Sequence, residues 1–510
     1  MSAIIPSDHD LPILYRDSTP RDKFLESVWG HVFNQRQAKE ARVPRAVIHA
    51  TSTSHVAAAV KLANELGCRL SVRSGGHSWA AWSVRDDAIL LDLGSLPGGK
   101  YSSSSSEGSV KAQGGGGGGG GDKGIEYDEK TGILSCPSSA TGRMVNGFLA
   151  GKGRMFAGGH CPDVGLGGFL LQGGMGWNCK NWGWACESIV EFDAVTADGR
   201  TVHASEGENA DLLWAARGAG PGFPAIITRF YLKTRPLHEM YQSLYIYPIS
   251  EYRKVLQWVI DTCETGDTDT EIVAVGQYIP EHPDPVILAN FLTFKPDRAQ
   301  GEAALKPFHD DPNRPPNPLI EFFAKPTSLP DQYAPQAASN PEGHRYCSEN
   351  AYIRNEEDVP SVLEEAFTML PNRKTFALYF GMAPTSRREH YVTDLVREGD
   401  GYTHAGSAMA LSMHTDHYFA LYTVWEEPEG DEKFTSWTHD VMSRVERFSA
   451  GSYLGDADFQ HRRTKFWRDG NAKRLMEIRR RWDPEGRICG YLDKGDKSGV
   501  EGLKNEFEWE

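Results

Sequence analysis

Short apolar runs alternating with helical-period stretches make the chain readable from Val43 onward. VPRAVIHA (43–50) predicts a strand. Thr53 or Ser54 then caps a helix whose Val56, Ala59, Val60, Ala63 and Leu66 recur at helical spacing, and Gly67 ends it. CRLSVRS (68–74) predicts a strand that delivers the chain into a Gly75–Gly76 turn, and AILLDLGSL (88–96) another strand and turn. EKTGILSC (129–136) reads as a strand and SATGRMVNGFLAGKG (139–153) as a capped helix. SIVEFDAVTADGRTVHAS (188–205) is a hairpin joined at Asp198-Gly199. ADLLWAARGAGPGFPAIITRFYLKTRP (210–236) gives a helix, a glycine-rich bend and a strand, and Pro236 marks a boundary.

The texture changes over 237–445. Strand-like YQSLYIYPI, EIVAVGQYI, VILANFLTF, TFALYFGMA and HYFALYTVW alternate with helical stretches at 250–263 and 357–370, as in an antiparallel sheet covered by helices, an α+β arrangement. The proline-rich 307–345 predicts an irregular loop. The last part, 446–510, holds a helix around NAKRLMEIRRRW (471–482), stopped by Asp483-Pro484. Between these regions of pattern, YSSSSSEGSVKAQGGGGGGGGDKG (101–124) predicts a flexible surface insertion, because serine and glycine cannot bury enough apolar surface to order themselves. A phosphate-binding P-loop is the sharper alternative, but the flanking strand and the Lys-Ser/Thr are missing. Joining Tyr101 to Ile125 would give a continuous strand, so the insertion interrupts a hairpin end.

With 510 residues and 39% hydrophobic content, two or more domains can bury a core. The net charge of −15 argues against a nucleic-acid partner or an anionic membrane surface, and no apolar run is long enough to span a bilayer. The N-terminus lacks the basic-then-apolar form of a signal peptide and the chain has no N-x-S/T sequon, so the expectation is an intracellular protein. The eight cysteines are irregularly spaced, with no C-x-x-C pair. That disfavours both a disulfide framework and structural zinc, and no metal site is expected.

Two turns combine glycine density with a reactive side chain. SVRSGGHSW (71–79) carries His77, and GGHCPDVGLGGFLLQGGMGWNCKNWG (158–183) carries Cys161. Such turns let backbone N–H groups approach a phosphate or a flat ring closely. Together with the C-terminal GNAKRL…WDPEGRI element they resemble the FAD-linked oxidases of the vanillyl-alcohol oxidase superfamily, in the berberine-bridge-enzyme-like group. The resemblance implies an α+β fold: a two-part FAD-binding domain of the PCMH type over 1–236, a substrate domain on the antiparallel sheet over 237–445, and a segment 446–510 returning to the first domain. It implies FAD held bicovalently, with His77 on the flavin 8α-methyl carbon and Cys161 on C6. Arg73, Ser74, Gly75, Gly76 and Ser78 would supply donors to the pyrophosphate. Val164, Gly165, Gly168, Gly173, Gly174 and Gly176 would pack beside the ring and ribityl chain, and Trp467 and Asn471 would close the site. Valine at the position of Val164 goes with open oxygen access in the family, which favours an oxidase.

The sequence also departs from the family. Phe169 stands where histidine is frequent, and Phe223-Pro224 where Phe-Gly is usual. Tyr453-Leu454-Gly455-Asp456 replaces Y-x-N-Y, so Asp456 takes the place of a tyrosine that deprotonates substrate in relatives. The glutamate base of the alkaloid-cyclising members has no match in 405–417. Taking a hydroxyl proton while hydride leaves for the flavin needs a base, for which Asp456, His417, Tyr453, His414 and Tyr418 are candidates, Asp456 and His417 first. Three functions follow: an oxidase of an alcohol or sugar-like small molecule that passes electrons to O2 and releases hydrogen peroxide, a tailoring enzyme that forms a ring or double bond by the same abstraction, or a flavoprotein with little activity.

Overall fold

The computed structural model describes residues 11–36, 42–101, 124–280, 282–383, 386, 396–398, 401–403, 409–458 and 462–490. The fold is α+β, built on three main sheets. The first has four strands in the order Ile13–Tyr15, Ala46–His49, Ile89–Asp92, Leu70–Arg73, and the last three run parallel. The crossover between Ala46–His49 and Leu70–Arg73 is the helix Thr53–Glu65, capped by the Ser52 hydroxyl, which accepts from the His55 N–H. The second sheet is antiparallel, in the order Glu126–Asp128, Ile133–Pro137, Ala225–Lys233, Ile189–Thr196, Thr201–Ala204. Its hairpin turns at Gly199, at φ +81.

The third sheet is antiparallel with eight strands: Ile320–Thr327, Glu239–Pro248, Val286–Lys295, Thr270–Gln277, Phe376–Gly381, His417–Trp425, Arg345–Ile353 and Ser449–Gly451. Its two faces are divided by strand alternation. From His417–Trp425, Tyr418, Ala420, Tyr422 and Val424 join the core shared with the first half of the chain. Phe419 and Leu421 join a separate core beneath the helices Tyr252–Cys263, Val359–Thr368 and Asp431–Val445. Burying Phe419, Leu421 and Val424 contributes about 1.5–3 kcal/mol each, so the parity of this strand is firmly set.

The proline-rich 307–345 is not a loop: it holds the strand Ile320–Thr327 and the helix Leu329–Ser339. Pro326 is tolerated because its strand is the sheet edge, and Pro330 because it lies in the first helical turn. Lys100 and Tyr101 do not continue the strand Glu126–Asp128. They fold back instead, the Tyr101 N–H donating to the Gly94 carbonyl at 2.7 Å. The serine/glycine insertion itself, 102–123, lies outside the described residues. The C-terminal segment docks on the first sheet. Cys489 N–H donates to the Leu70 carbonyl at 2.9 Å, and the helix Asp469–Trp482 packs beside Ala210–Ala216. Among the described residues no helix is long and apolar enough to cross a membrane.

Candidate active site

The strand Leu70–Arg73 ends in the first glycine turn, and the second turn meets it backbone to backbone. A Cβ on Gly75 would stand 2.6 Å from the Gly165 nitrogen, and one on Gly165 would stand 2.7 Å from the Gly75 nitrogen. Only glycine at both positions permits this approach. The two turns form one end of a cavity of about 1080 Å³, and the eight-stranded sheet forms the other. His77 and Cys161 both line it, as do Ser74, Gly75, Gly76, Ser78, Val164, Gly165 and Gly168.

His77 stacks on Phe33 with ring centroids 4.8 Å apart, and its Nε2 lies 3.4 Å from Lys100 Nζ. Burial, with the Lys100 charge adding, pulls the imidazole down to about 3, so it is neutral. Burial pushes the Cys161 thiol up to about 12, helped by the Asp456 and Asp163 carboxylates. Cys161 therefore sits in the cavity as a thiol that must lose its proton when it reacts.

Several of the residues expected to hold the cofactor do other work. Arg73 is committed to a buried pair with Asp92 (Nη2–Oδ2 2.6 Å, Nε–Oδ2 3.1 Å) and donates to the Val28 and Ser27 carbonyls at 2.6 and 2.8 Å. Its guanidinium anchors the turn rather than a pyrophosphate. Ser74 Oγ donates to the Ser138 carbonyl at 2.7 Å and locks one turn to the next. Gly173, Gly174 and Gly176 lie behind the wall: a Cβ on Gly173 would meet the Leu411 side chain at 2.9 Å, and one on Gly176 the Gly158 carbonyl at 2.9 Å. Trp467 Nε1 donates to the Gly218 carbonyl at 2.8 Å, and Asn471 Nδ2 to the Met409 and Ala410 carbonyls at 3.3 and 3.2 Å. Asn471 ties the tail to the 409–411 loop and Trp467 ties it to the bend at Gly218, and neither lines the cavity.

The base candidates separate in the same way. Asp456 lines the cavity and accepts from the Tyr418 hydroxyl at 2.6 Å. Burial raises its carboxyl, while hydrogen bonds from Tyr418, Tyr422 and Trp79 pull it back. Tyr453 lines the cavity, but its hydroxyl accepts the Gly174 and Met175 N–H groups at 3.0 and 3.1 Å. Burial lifts that phenol well above its ordinary range, as it does for Tyr418, which stands behind Asp456. His417 shares the parity of Phe419 and Leu421; it bonds the Tyr379 hydroxyl at 2.8 Å through Nδ1, on the helix-covered side. His414 packs behind Trp184, 5.9 Å between centroids. Strand parity and the loop's path thus keep both histidines off the cavity wall.

The wall instead presents His160 and Glu271. His160 Nε2 lies 2.9 and 3.0 Å from the two Glu271 oxygens, and Glu271 also accepts the Asn178 N–H at 2.7 Å. Trp177 and Phe380 pack against the ring at 4.3 and 5.5 Å. No described residue bonds His160 Nδ1. Both residues left a trace in the sequence. His160 adjoins Cys161, and Glu271 is a lone carboxylate opening an apolar strand, where a buried charge requires a partner.

The cavity fits a flavin dinucleotide. Its glycine-lined end admits flat and phosphorylated groups against bare backbone, and the buried Ser138 hydroxyl on its wall has no partner among the described residues. No disulfide joins any of the eight cysteines, and among the described residues no cluster of His, Cys, Asp and Glu is built to hold a metal.

Known proteins agree with that fit. A family model described as an FAD binding domain matches residues 44–119 and 122–205. The chain is 34% identical over 486 residues to the FAD-linked oxidoreductase ptmO of Penicillium ochrochloron, which covers 95% of this chain and 97% of that protein. In fold it is similar to the BBE-like 1 protein of Physcomitrella patens (TM-score 0.72, 16% identity, 94% and 96% of the two chains). It is likewise similar to a glucooligosaccharide oxidase of Acremonium strictum described with a 6-S-cysteinyl, 8α-N1-histidyl FAD (TM-score 0.70, 18% identity, 96% and 97%).

Proposed function

The chain belongs to the FAD-linked oxidoreductases, and from that premise we propose that it is an oxidase of the PCMH-type, berberine-bridge-enzyme-like branch with bicovalent FAD, attached through His77 and Cys161, that abstracts hydride from an alcohol-bearing small molecule and reduces O2 to hydrogen peroxide. The observation that carries this reading is the meeting of His77 and Cys161 on one cavity, where His160 beside Cys161 pairs with Glu271 from the facing sheet. When bound, the flavin accepts the hydride and passes the electrons to oxygen.

The protein's own part is to position the substrate and move its proton. Glu271 accepts the Nε2 proton of His160, which leaves Nδ1 as the lone-pair nitrogen. Nδ1 takes the proton of the substrate hydroxyl, and the Glu271 carboxylate, held by the Asn178 N–H, stabilises the imidazolium that forms. Asp456, whose carboxyl burial raises, is held by its tyrosine donors beside Cys161.

The sheet wall also favours a second reading. Leu244, Ile246, Val275, Leu288, Phe322 and Leu378 make a broad apolar surface on the cavity. The amides above it bond one another, Gln242 to Asn290 at 2.7 Å and Gln332 to Gln242 at 3.2 Å. This surface accommodates a bulky apolar body better than a fully hydroxylated one, which supports oxidative tailoring of a secondary metabolite over sugar oxidation. A screen of alcohols, oligosaccharides and polycyclic alcohols tests both. Anaerobic bleaching of the flavin with aerobic peroxide release supports an oxidase, and product structure separates simple alcohol oxidation from ring closure or desaturation. A flavin that no compound bleaches overturns both readings.

A further inference from the structure

Lys100 belongs to no motif, yet its side chain ends beside His77. Nζ lies 3.4 Å from His77 Nε2 and 3.5 Å from the Gly75 carbonyl oxygen. The backbone that carries it is fixed: the Gly99 N–H donates to the Leu96 carbonyl at 2.7 Å and the Lys100 N–H to the Ser139 carbonyl at 3.2 Å. Next to it Tyr101 stacks on His31 with centroids 4.1 Å apart. The imidazole is thus held across its face by Phe33 and at Nε2 by Lys100, and no described residue bonds its Nδ1.

We propose that Lys100 is the proton acceptor that makes His77 Nδ1 nucleophilic while FAD becomes attached, a positioning role that rests on the reading of His77 as an attachment residue. An imidazole attacks through the nitrogen that carries no proton, so attack through Nδ1 places the proton on Nε2, facing Lys100. As the N–C bond forms, that N–H becomes acidic and the lysine amine takes its proton. Burial lowers the proton affinity of Lys100, with Arg73 acting the same way and Glu342, Asp163 and Asp92 opposing, so the neutral amine is accessible. The bonds balance: one C–H of the 8α-methyl group and one N–H of the imidazole break, and one N–C bond forms. Two electrons and two protons pass to dioxygen, giving hydrogen peroxide.

The test uses the full chain in a Cys161→Ala background, where His77 is the remaining anchor. Flavin on the His77 peptide is followed by acid precipitation and peptide mass mapping after the apoprotein is incubated with FAD in air. Flavin bound before acid treatment and the melting temperature report folding. Cys161→Ala should attach flavin, whereas C161A/K100M and C161A/K100R should bind it reversibly and attach it roughly 10²-fold more slowly. Arginine keeps the charge and the reach but cannot accept a proton. Attachment at the parent rate in K100M, or in K100R, overturns the role of Lys100 and leaves His77 as an anchor. Absence of flavin on His77 in C161A alone overturns the anchor and the role of Lys100 with it.

Discussion

Gly75→Ala isolates the contact between the two turns. Gly75 does not occupy the left-handed region, so alanine introduces no backbone strain of its own. Its Cβ would nevertheless stand 2.6 Å from the Gly165 nitrogen and 2.8 Å from Gly165 Cα, both backbone atoms that cannot rotate aside. The turns must separate by the better part of an ångström. Overpacking of this kind costs about 1–3 kcal/mol. The strain is relieved when the turns part, while flavin requires them together, so most of the cost should appear in cofactor affinity. At about 1.4 kcal/mol per decade that is roughly a 5- to 150-fold loss. The assay is equilibrium binding of FAD in a His77→Ala/Cys161→Ala background, where binding is reversible. Gly147→Ala is the control: it is exposed on the helix Gly142–Ala150, off the cavity, with nothing within 4 Å of its Cβ, and should change little. Equal affinity in the Gly75→Ala protein and its parent, or an equal loss at Gly147, would refute the reasoning.

Ser138→Ala removes a buried hydroxyl that has no partner among the described residues, so the apoprotein should melt at or above the parent temperature, while FAD binding weakens by about 0.5–1.5 kcal/mol in the same equilibrium-binding assay. Glu271→Gln removes the carboxylate that orients His160; the expected loss is about 10- to 100-fold in the rate of flavin reduction by stopped flow, with flavin attachment intact. Arg73→Met strands the buried Asp92 carboxylate and should cost about 3–5 kcal/mol in denaturant unfolding of the apoprotein. Burial alone would raise Asp92, but the His49 hydrogen bond and the Arg73 guanidinium hold it well below its ordinary 3.8. Its contribution is therefore complete above that value and is lost as pH falls below it. Melting temperature should drop more steeply below about pH 4 in the parent than in Asp92→Asn, measured by calorimetry.

Local pattern carried much of the fold. The hairpin at Asp198-Gly199 and the strand His417–Trp425 were legible because turn chemistry and apolar alternation sit in a few consecutive residues. The strand Arg345–Ile353 was not, because it lies inside the sheet and mixes Arg345, Ser348, Glu349 and Asn350 with apolar residues that tertiary partners then satisfy. At the site, the glycine turns announced themselves. The commitment of Arg73 to Asp92 did not, since it depends on a parallel strand neighbour. Nor did the exclusion of His417, which follows from strand parity relative to a cavity that one strand cannot define. His160 lies in the second glycine turn and Glu271 on the eight-stranded sheet, and they meet only when the fold closes.

The central claim is that two turns hold one flavin from two sides. It is tested most directly by digesting acid-denatured holoprotein with trypsin and weighing the flavin-bearing species. The account predicts a single species in which one flavin joins the peptide 74–85, through His77, to the peptide 155–180, through Cys161. Flavin on only one of these peptides, or flavin released entirely by acid, would contradict it.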